Sequence, residues 1–384
     1  MITSRVPFFR LDAKAEEFDN IRRVLESGWL TTGEWTLRFE REFASAVGAK
    51  HALAVNSCTA ALHLALDAIG IKPGDRVAVP SLTFAATAEV VRYVGAIPVL
   101  IDSDPSTGCM DPGKLEAASR LGPLAAAMPV HFAGHAADMN ALSEVCGRTG
   151  TALVEDAAHA FPTRCGGRPV GSISPATCFS FYANKTITVG EGGMVTTNDD
   201  LLAARMRVMR LHGIDRDAWD RYRSAKPSWE YDVVAAGYKY NLSDLASAVG
   251  VAQLARGDSM HSRRVQIAAR YLDALRGLRA IILPAAPPEL SDHAWHLFVI
   301  RIRSGTGADR ARVIDALSGL GVATSVHYKP LHRMTYYARL TGQSAQDLPV
   351  ADHWGDAALS IPLFSAMTDA EVDQVIAAVR TVFT

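Results

Sequence analysis

The stretch HALAVNSCTAALHLALDAIGIKPGDRVAVPSLTFAATAEVVRYVGAIPVLID (51–102) decides the fold. HALAVN (51–56) is an apolar run of strand length, and TAALHLALDAIG (59–70) repeats its apolar residues every three or four positions, the spacing of a helix. A PGD turn then leads to RVAVP (76–80), a helix near 83–93 and the strand IPVLID (97–102). Further out, PLAAAMPVHF (123–132), a helix near 137–148 and TALVEDAA (151–158) keep the alternation. Strands rich in Val, Ala and Leu, each followed by a helix, predict an α/β fold whose mostly parallel sheet is covered on both faces.

The rhythm changes over 177–197, where TCFSFYANK, a GEGG turn and MVTTND read as two short strands joined by a compact loop. A polar helix near 200–212 follows. The next segment, HGIDRDAWDRYRSAKPSWEYD (212–232), is charged, aromatic and aperiodic, as a surface loop would be. Residues 243–280 read as one continuous helix opening on a Ser243/Asp244 cap, HAWHLFVIRIR (293–303) as a strand and 308–322 as a helix. The C-terminal helix starts with Thr368 and Glu371 in capping-box spacing. This pattern predicts a large domain over 1–250 and a smaller α+β domain over 251–384.

The 384 residues are 49% hydrophobic and 21% charged, which excludes disorder as the main state. Lys+Arg 39 against Asp+Glu 40 leaves a net charge of -1, too balanced for bulk attraction to nucleic acid or an anionic membrane. A small anion held by a local site remains compatible. No apolar run reaches the roughly 18–20 residues of a membrane span, and the N-terminus lacks the apolar core of a signal peptide. Five scattered cysteines without a CxxC pair point to reduced thiols and a cytoplasmic setting, with no metal motif.

The chemistry gathers in VEDAAHA (154–160), FSFYANK (179–185) and GEGGMVTTND (190–199). Asp156 falls at the C-terminal end of a predicted parallel strand, where open α/β sheets place ligands. Lys185 lies between an apolar strand and a glycine turn, a setting that desolvates the amine and makes it a carbonyl nucleophile. A buried carboxylate and such a lysine are what pyridoxal 5'-phosphate (PLP) chemistry requires. Ser57, Cys58 and Thr59 fall at a helix N-terminus, whose free amides and dipole bind phosphate. Ser180 offers a hydroxyl nearby, and Phe84 an aromatic face. Singly, each reads as a cap, a core residue or a surface lysine; the set carries the inference. A nicotinamide-dependent oxidoreductase fails, because the first strand–helix turn has no G-x-G-x-x-G and GEGGMV leads into a strand.

Together SCTAALHLAL, PSLTFAATAEVV, VEDAAHA, FSFYANKTITVGEGG and GYKYNLSD resemble the DegT/DnrJ/StrS family of PLP-dependent sugar aminotransferases, of fold-type I. The likeness runs from SGWLTTG (27–33) to LSIPLFSAMTDAEV (359–372). DAWDR, GYKYNLSDL and HAWHLF are most similar to the branch that makes UDP-4-amino-4-deoxy-L-arabinose. The resemblance implies that Lys185 bonds the cofactor, Asp156 meets its pyridine nitrogen and His159 lies near its phenolic oxygen. It puts Phe84 in the stacking position and Ser57, Cys58, Thr59 and Ser180 around the phosphate. It further implies a homodimer with shared active sites, in which Lys239 or Asn241 of GYKYN reaches the partner's phosphate region.

Trp29, Thr31 and Gly33 match a substrate-side loop, and His327 in TSVHYKPLHRMTYY falls near the sugar. That last block departs from the arabinose branch and looks like members acting on 4-keto-6-deoxy sugars. The implied reaction moves an amino group from an amino acid, L-glutamate by resemblance, to the 4-keto carbon of a nucleotide-linked sugar. Transfer to a 3-keto sugar, a sugar 3-dehydratase and a PLP-binding regulator are the alternatives on this scaffold. Lys185 argues against the dehydratase, whose relatives carry histidine there. Basic residues of HGIDRDAWDR are candidates for meeting the diphosphate.

Overall fold

The computed structural model describes residues 5–215, 230–305 and 309–384. Two helices lead in, α1 (Ala15–Ser27) and α2 (Glu34–Val47), and then the strand–helix units begin. They run β1 (His51–Val55), α3 (Cys58–Ala68), β2 (Arg76–Pro80), α4 (Ala86–Tyr93), β3 (Ile97–Ile101), α5 (Pro112–Arg120), β4 (Ala126–Ala127), α6 (Met139–Thr149) and β5 (Ala152–Asp156). A two-residue hairpin, β6 (Arg164–Cys165) and β7 (Arg168–Pro169), precedes β8 (Ala176–Ser180), β9 (Gly193–Thr197) and α7 (Asp200–Met209).

These strands form a seven-stranded sheet in the order β1-β9-β8-β5-β4-β2-β3. Only β9 runs against the others, pairing antiparallel with both β1 and β8. The expectation of a mostly parallel sheet with a local change of rhythm at 177–197 therefore holds. Because β1, β5 and β8 run the same way, Val55, Asp156 and Ser180 all lie at one edge, the carboxyl edge where such sheets bind ligands. Helices α3 and α4 pack on one face, with Leu62, Leu64, Leu66, Val90 and Val91 excluded from water beside Val77, Val79 and Val154.

Three expected elements are corrected. The strand over 123–132 is in ladder register only at Ala126–Ala127. Pro123 and Pro129 have no amide to donate, which breaks the regular ladder, although Val130 still bridges Asp156 and the His131 amide reaches the Asp156 carbonyl at 3.1 Å. The single helix over 243–280 is two, α8 (Asp244–Ala255) and α9 (Gly257–Ala274). The break falls at Arg256, whose guanidinium is held by Glu17 and by the Asp12 carbonyl at 2.9 Å. The strand over 293–303 shortens to Phe298–Ile302, because Trp295 adopts a left-handed backbone (φ 48) and turns the chain.

A second sheet joins β10 (Ile281–Ile282), β11 (Phe298–Ile302) and β12 (Ala358–Ile361), all antiparallel. Tyr271, Trp295, Phe298, Phe364 and Val375 fill its core. The N-terminal segment crosses to it, with Val6 bridging Val322 and Arg10 paired to Glu371 at 2.7 Å. The capping box of Thr368 and Glu371 is formed as expected. Asp244 does more than open α8. Its carboxylate accepts the amides of Gly33 at 2.8 Å and Thr36 at 3.0 Å and so caps α2 from outside. Among the described residues no helix is long and apolar enough to cross a membrane.

Candidate active site

At the carboxyl edge of the large sheet lies a cavity of about 450 Å³. Its walls include Ser57, Cys58, Thr59, Phe84, Asp156, His159, Ser180, Lys185 and His327, nine residues that the sequence singled out. One wall is the turn from β1 into α3. Ser57 caps the helix by accepting the Ala60 amide at 3.1 Å, and the amides of Cys58 and Thr59 stand ahead of the first intrahelical bond. Gly193 of β9 makes this turn fit. Paired between Val55 and Ser180, it passes so close that a Cβ would lie 2.5 Å from the Ser57 carbonyl carbon and 2.6 Å from the Cys58 nitrogen.

Asp156 ends β5 and is buried. One carboxylate oxygen accepts the Thr87 hydroxyl at 2.8 Å and the other accepts the Ala158 amide at 3.1 Å. Burial raises its pKa above the ordinary carboxylate value, and these hydrogen bonds only partly oppose that. A cation beside Asp156 on the pocket side would restore its charge. Lys185 stands in the turn between β8 and β9, its amide bonded to the Tyr182 carbonyl at 2.9 Å. Desolvation lowers its ammonium from 10.5 to about 8, while Cys58 and Asp156 pull the other way. Near neutral pH this amine exists in both protonation states, as a proton carrier must.

His159 packs over the site. Its Nδ1 accepts the Ala133 amide at 3.3 Å, which leaves the proton on Nε2 to be donated to the Tyr328 hydroxyl at 3.0 Å. Burial first, then Lys185 and His327, push its pKa well below the usual histidine value, so it is neutral. His327 is lowered to about 4 by the same burial and by Lys185, and its Nδ1 meets the Ser360 hydroxyl at 2.9 Å. Phe84 is 62% exposed at the mouth, with its ring centroid 6.1 Å from that of Tyr328.

The other four candidates lie elsewhere. Trp29, Thr31, Lys239 and Asn241 do not line this cavity. Three of them converge around Thr32: Trp29 donates its indole N–H to the Thr32 carbonyl at 3.1 Å, and Asn241 donates to the Thr32 hydroxyl at 2.8 Å. Lys239 donates in turn to Asn241 at 2.7 Å. Of HGIDRDAWDR, residues 216–221 lie outside the described residues. Sequence reasoning missed Thr87, Tyr328 and His296. Thr87 had a weak signal, since Thr83 and Thr87 share one face where α4 begins, and their hydroxyls meet at 2.8 Å. Tyr328 comes from an irregular segment, and His296 from a stretch expected as strand that the left-handed Trp295 turns away from the sheet.

Against known families, residues 11–380 match the DegT/DnrJ/EryC1/StrS aminotransferase family. The chain belongs to that family. It is 46% identical over 370 residues to the spore coat polysaccharide biosynthesis protein SpsC of Bacillus subtilis, covering 96% of this chain and 94% of SpsC. Spr1654 of Streptococcus pneumoniae, solved in apo-, PLP- and PMP-forms, superposes with a TM-score of 0.90 at 32% identity; in the PLP-form comparison 98% of each chain is covered. DesV of S. venezuelae, solved with a ketimine intermediate, gives 0.89 at 37% identity, covering 99% of this chain and 98% of that one. The architecture is therefore that of a fold-type I aminotransferase.

Proposed function

We propose that the protein is a PLP-dependent aminotransferase that moves an amino group from L-glutamate to the 4-keto carbon of a nucleotide-linked sugar. The observation that carries this reading is the meeting of three groups on one cavity: the desolvated Lys185 amine, the buried Asp156 carboxylate and the open N-terminus of α3. These residues fit PLP. The Cys58 and Thr59 amides, with the Ser57 and Ser180 hydroxyls, would hold its phosphate, and the cradle is kept open by a glycine at 193. Asp156 would face the ring nitrogen, His159 the phenolic oxygen and Phe84 the ring face at the mouth.

When bound, PLP supplies an electron sink and an aldehyde for Lys185. The rest falls to the chain. Lys185 Nζ would take and return the migrating proton, and Asp156 would hold a proton on the nitrogen it faces. His159 stays neutral and directs its Nε2 proton to Tyr328. His327, beside Tyr328 on the cavity wall, would meet the sugar.

The nucleotide-linked substrate and the choice of C4 are supported by the GYKYNLSD block, and the amino-sugar setting by the likeness to SpsC. The cluster of Trp29, Thr32, Lys239 and Asn241 outside its own cavity supports a homodimer in which this face completes the partner's site. The composition and the reduced thiols support a cytoplasmic enzyme. The test is an absorbance spectrum of protein reconstituted with PLP, before and after excess L-glutamate. A visible band that depends on Lys185, is lost in Lys185→Ala and bleaches with glutamate supports the reading; no such band sinks it. A panel of UDP-, dTDP- and GDP-linked 4-keto sugars then identifies the acceptor.

A further inference from the structure

Two buried polar atoms near Lys185 have no hydrogen-bond partner: His296 Nδ1 and Asn184 Oδ1. Both residues line the same small cavity of about 10 Å³, behind the active site and closed by Phe8, Phe9, Leu297 and Phe364. About 10–15 Å³ of such space is what one water needs, and a water needs at least two polar partners. The other ring nitrogen of His296, Nε2, lies 3.5 Å from Lys185 Nζ.

The turn that carries His296 is firmly held. Trp295 is in the left-handed region, and its amide is accepted by His293 Nδ1 at 2.7 Å. The buried guanidinium of Arg264 donates to the carbonyls of Trp295 at 3.1 Å and Leu363 at 3.0 Å, with that of His296 at 3.5 Å. Desolvation first, then Lys185, His159, Arg264 and His327, lower the His296 pKa well below the usual value, so the ring is neutral.

We propose that His296 is a positioning residue for Lys185: its Nε2 accepts a hydrogen bond from the lysine ammonium, and one ordered water in the cavity behind it links Nδ1 to Asn184 Oδ1. This rests on the role proposed above for Lys185. The tautomer follows from the partners. If Nε2 accepts from Lys185, the proton sits on Nδ1, a buried donor that needs an acceptor. The water accepts from Nδ1 and donates to Asn184, so one molecule satisfies both orphaned atoms. The chain Lys185–His296–water–Asn184 then holds the amine in one orientation whenever it is not bonded elsewhere.

The proposal fixes the sign of an effect on Lys185. Around its amine stand Cys58, Asp156, His159, His327 and His296, of which Cys58 and Asp156 are negative when ionised; burial pushes the Cys58 thiol well above its usual value and so favours its neutral form. A neutral acceptor stabilises the ammonium, so removing it lowers the lysine pKa. The test is pH-dependent labelling of the cofactor-free full-length chain with a trace acylating reagent, read at Lys185 by peptide mass spectrometry. His296→Leu is expected to lower the apparent pKa by about one unit, labelling about tenfold faster at pH values below it. His296→Gln, which can return an acceptor near the Nε2 position, brings the value back. An unchanged or raised pKa in His296→Leu, with folding verified by circular dichroism, overturns the proposal. So does a crystal structure showing no water between His296 and Asn184. A wild-type Lys185 that titrates like a free lysine would instead defeat the reading of Lys185 itself, independently of His296.

Discussion

Replacing Gly193 by alanine tests the phosphate cradle directly. The added Cβ would lie 2.5 Å from the Ser57 carbonyl carbon, 2.6 Å from the Ser57 oxygen and 2.6 Å from the Cys58 nitrogen. All three are backbone atoms, so no side chain can swing away. Restoring ordinary contact at about 3.5 Å moves the turn by on the order of 1 Å, enough to misalign the Cys58 and Thr59 amides. Hydrogen bonds to a charged group contribute about 1.5–3 kcal/mol each, so losing one weakens PLP about 10- to 150-fold. Overpacking beside a central strand also costs about 1–3 kcal/mol of stability, and binding must therefore be measured well below the melting temperature.

The assay is a spectroscopic titration of cofactor-free protein with PLP and, separately, with pyridoxal, which has the aldehyde but no phosphate. Gly193→Ala is expected to weaken PLP far more than pyridoxal, because only the former uses the turn. Equal weakening of both ligands would mean that the substitution damages the pocket in general. Unchanged PLP affinity would mean that this turn does not hold the phosphate.

Three further perturbations follow from the same geometry. Lys185 titrates at about 8 in the folded protein, below its unfolded value, so its stabilising contribution is present above about pH 10.5 and is lost as pH falls through 8. Lys185→Met should therefore be more stable than the cofactor-free wild type at pH 7 by of order 3 kcal/mol, with the gap closing above about pH 10.5, as read by chemical denaturation. Thr87→Val removes the hydroxyl donor that holds the Asp156 pKa down and should raise it further, moving the acid limb of the pH–rate profile upward. Asp156→Asn keeps the shape but not the charge. It should cut kcat by about 10²-fold or more while the Lys185-dependent absorbance band persists.

The sequence showed the carboxyl edge of the sheet more clearly than what surrounds it, and the reason is physical. Strand–helix units have a period, so the ends of β1, β5 and β8 could be placed, and with them the β1–α3 turn, Asp156 and Ser180. Lys185 stood out because an apolar strand leads into a glycine turn around it. Tyr328 arrives from a segment without a period, and His296 from the expected strand over 293–303, where nothing local announces that Trp295 turns left-handed. Asp244 looked like an ordinary helix opening, yet it caps α2, whose sequence lies about two hundred residues earlier. The lengths of the strand at 123–132 and of the helix at 243–280 were misread because Pro129 and the Arg256–Glu17 contact interrupt patterns that composition alone would continue.

The end of β5 shows how one strand sets up both a fixed charge and a responsive one. Glu155 and Asp156 are neighbours and both are buried, but alternation sends their side chains to opposite faces of the sheet. On its face Glu155 meets His131 Nε2 at 2.8 Å, the Ser174 amide at 3.0 Å and the Thr177 hydroxyl at 2.9 Å. Burial raises its pKa, but these bonds, with the attraction of His131, outweigh burial and hold it low. His131 Nδ1 accepts the Ala137 amide, so Nε2 carries the proton donated to Glu155. Asp156 also pays for burial, but with fewer donors, and its pKa stays raised. The difference is an unfilled electrostatic demand on the cavity side. A cationic N–H placed there would complete what Thr87 and Ala158 begin, which is what the proposed role of Asp156 toward a protonated ring nitrogen requires.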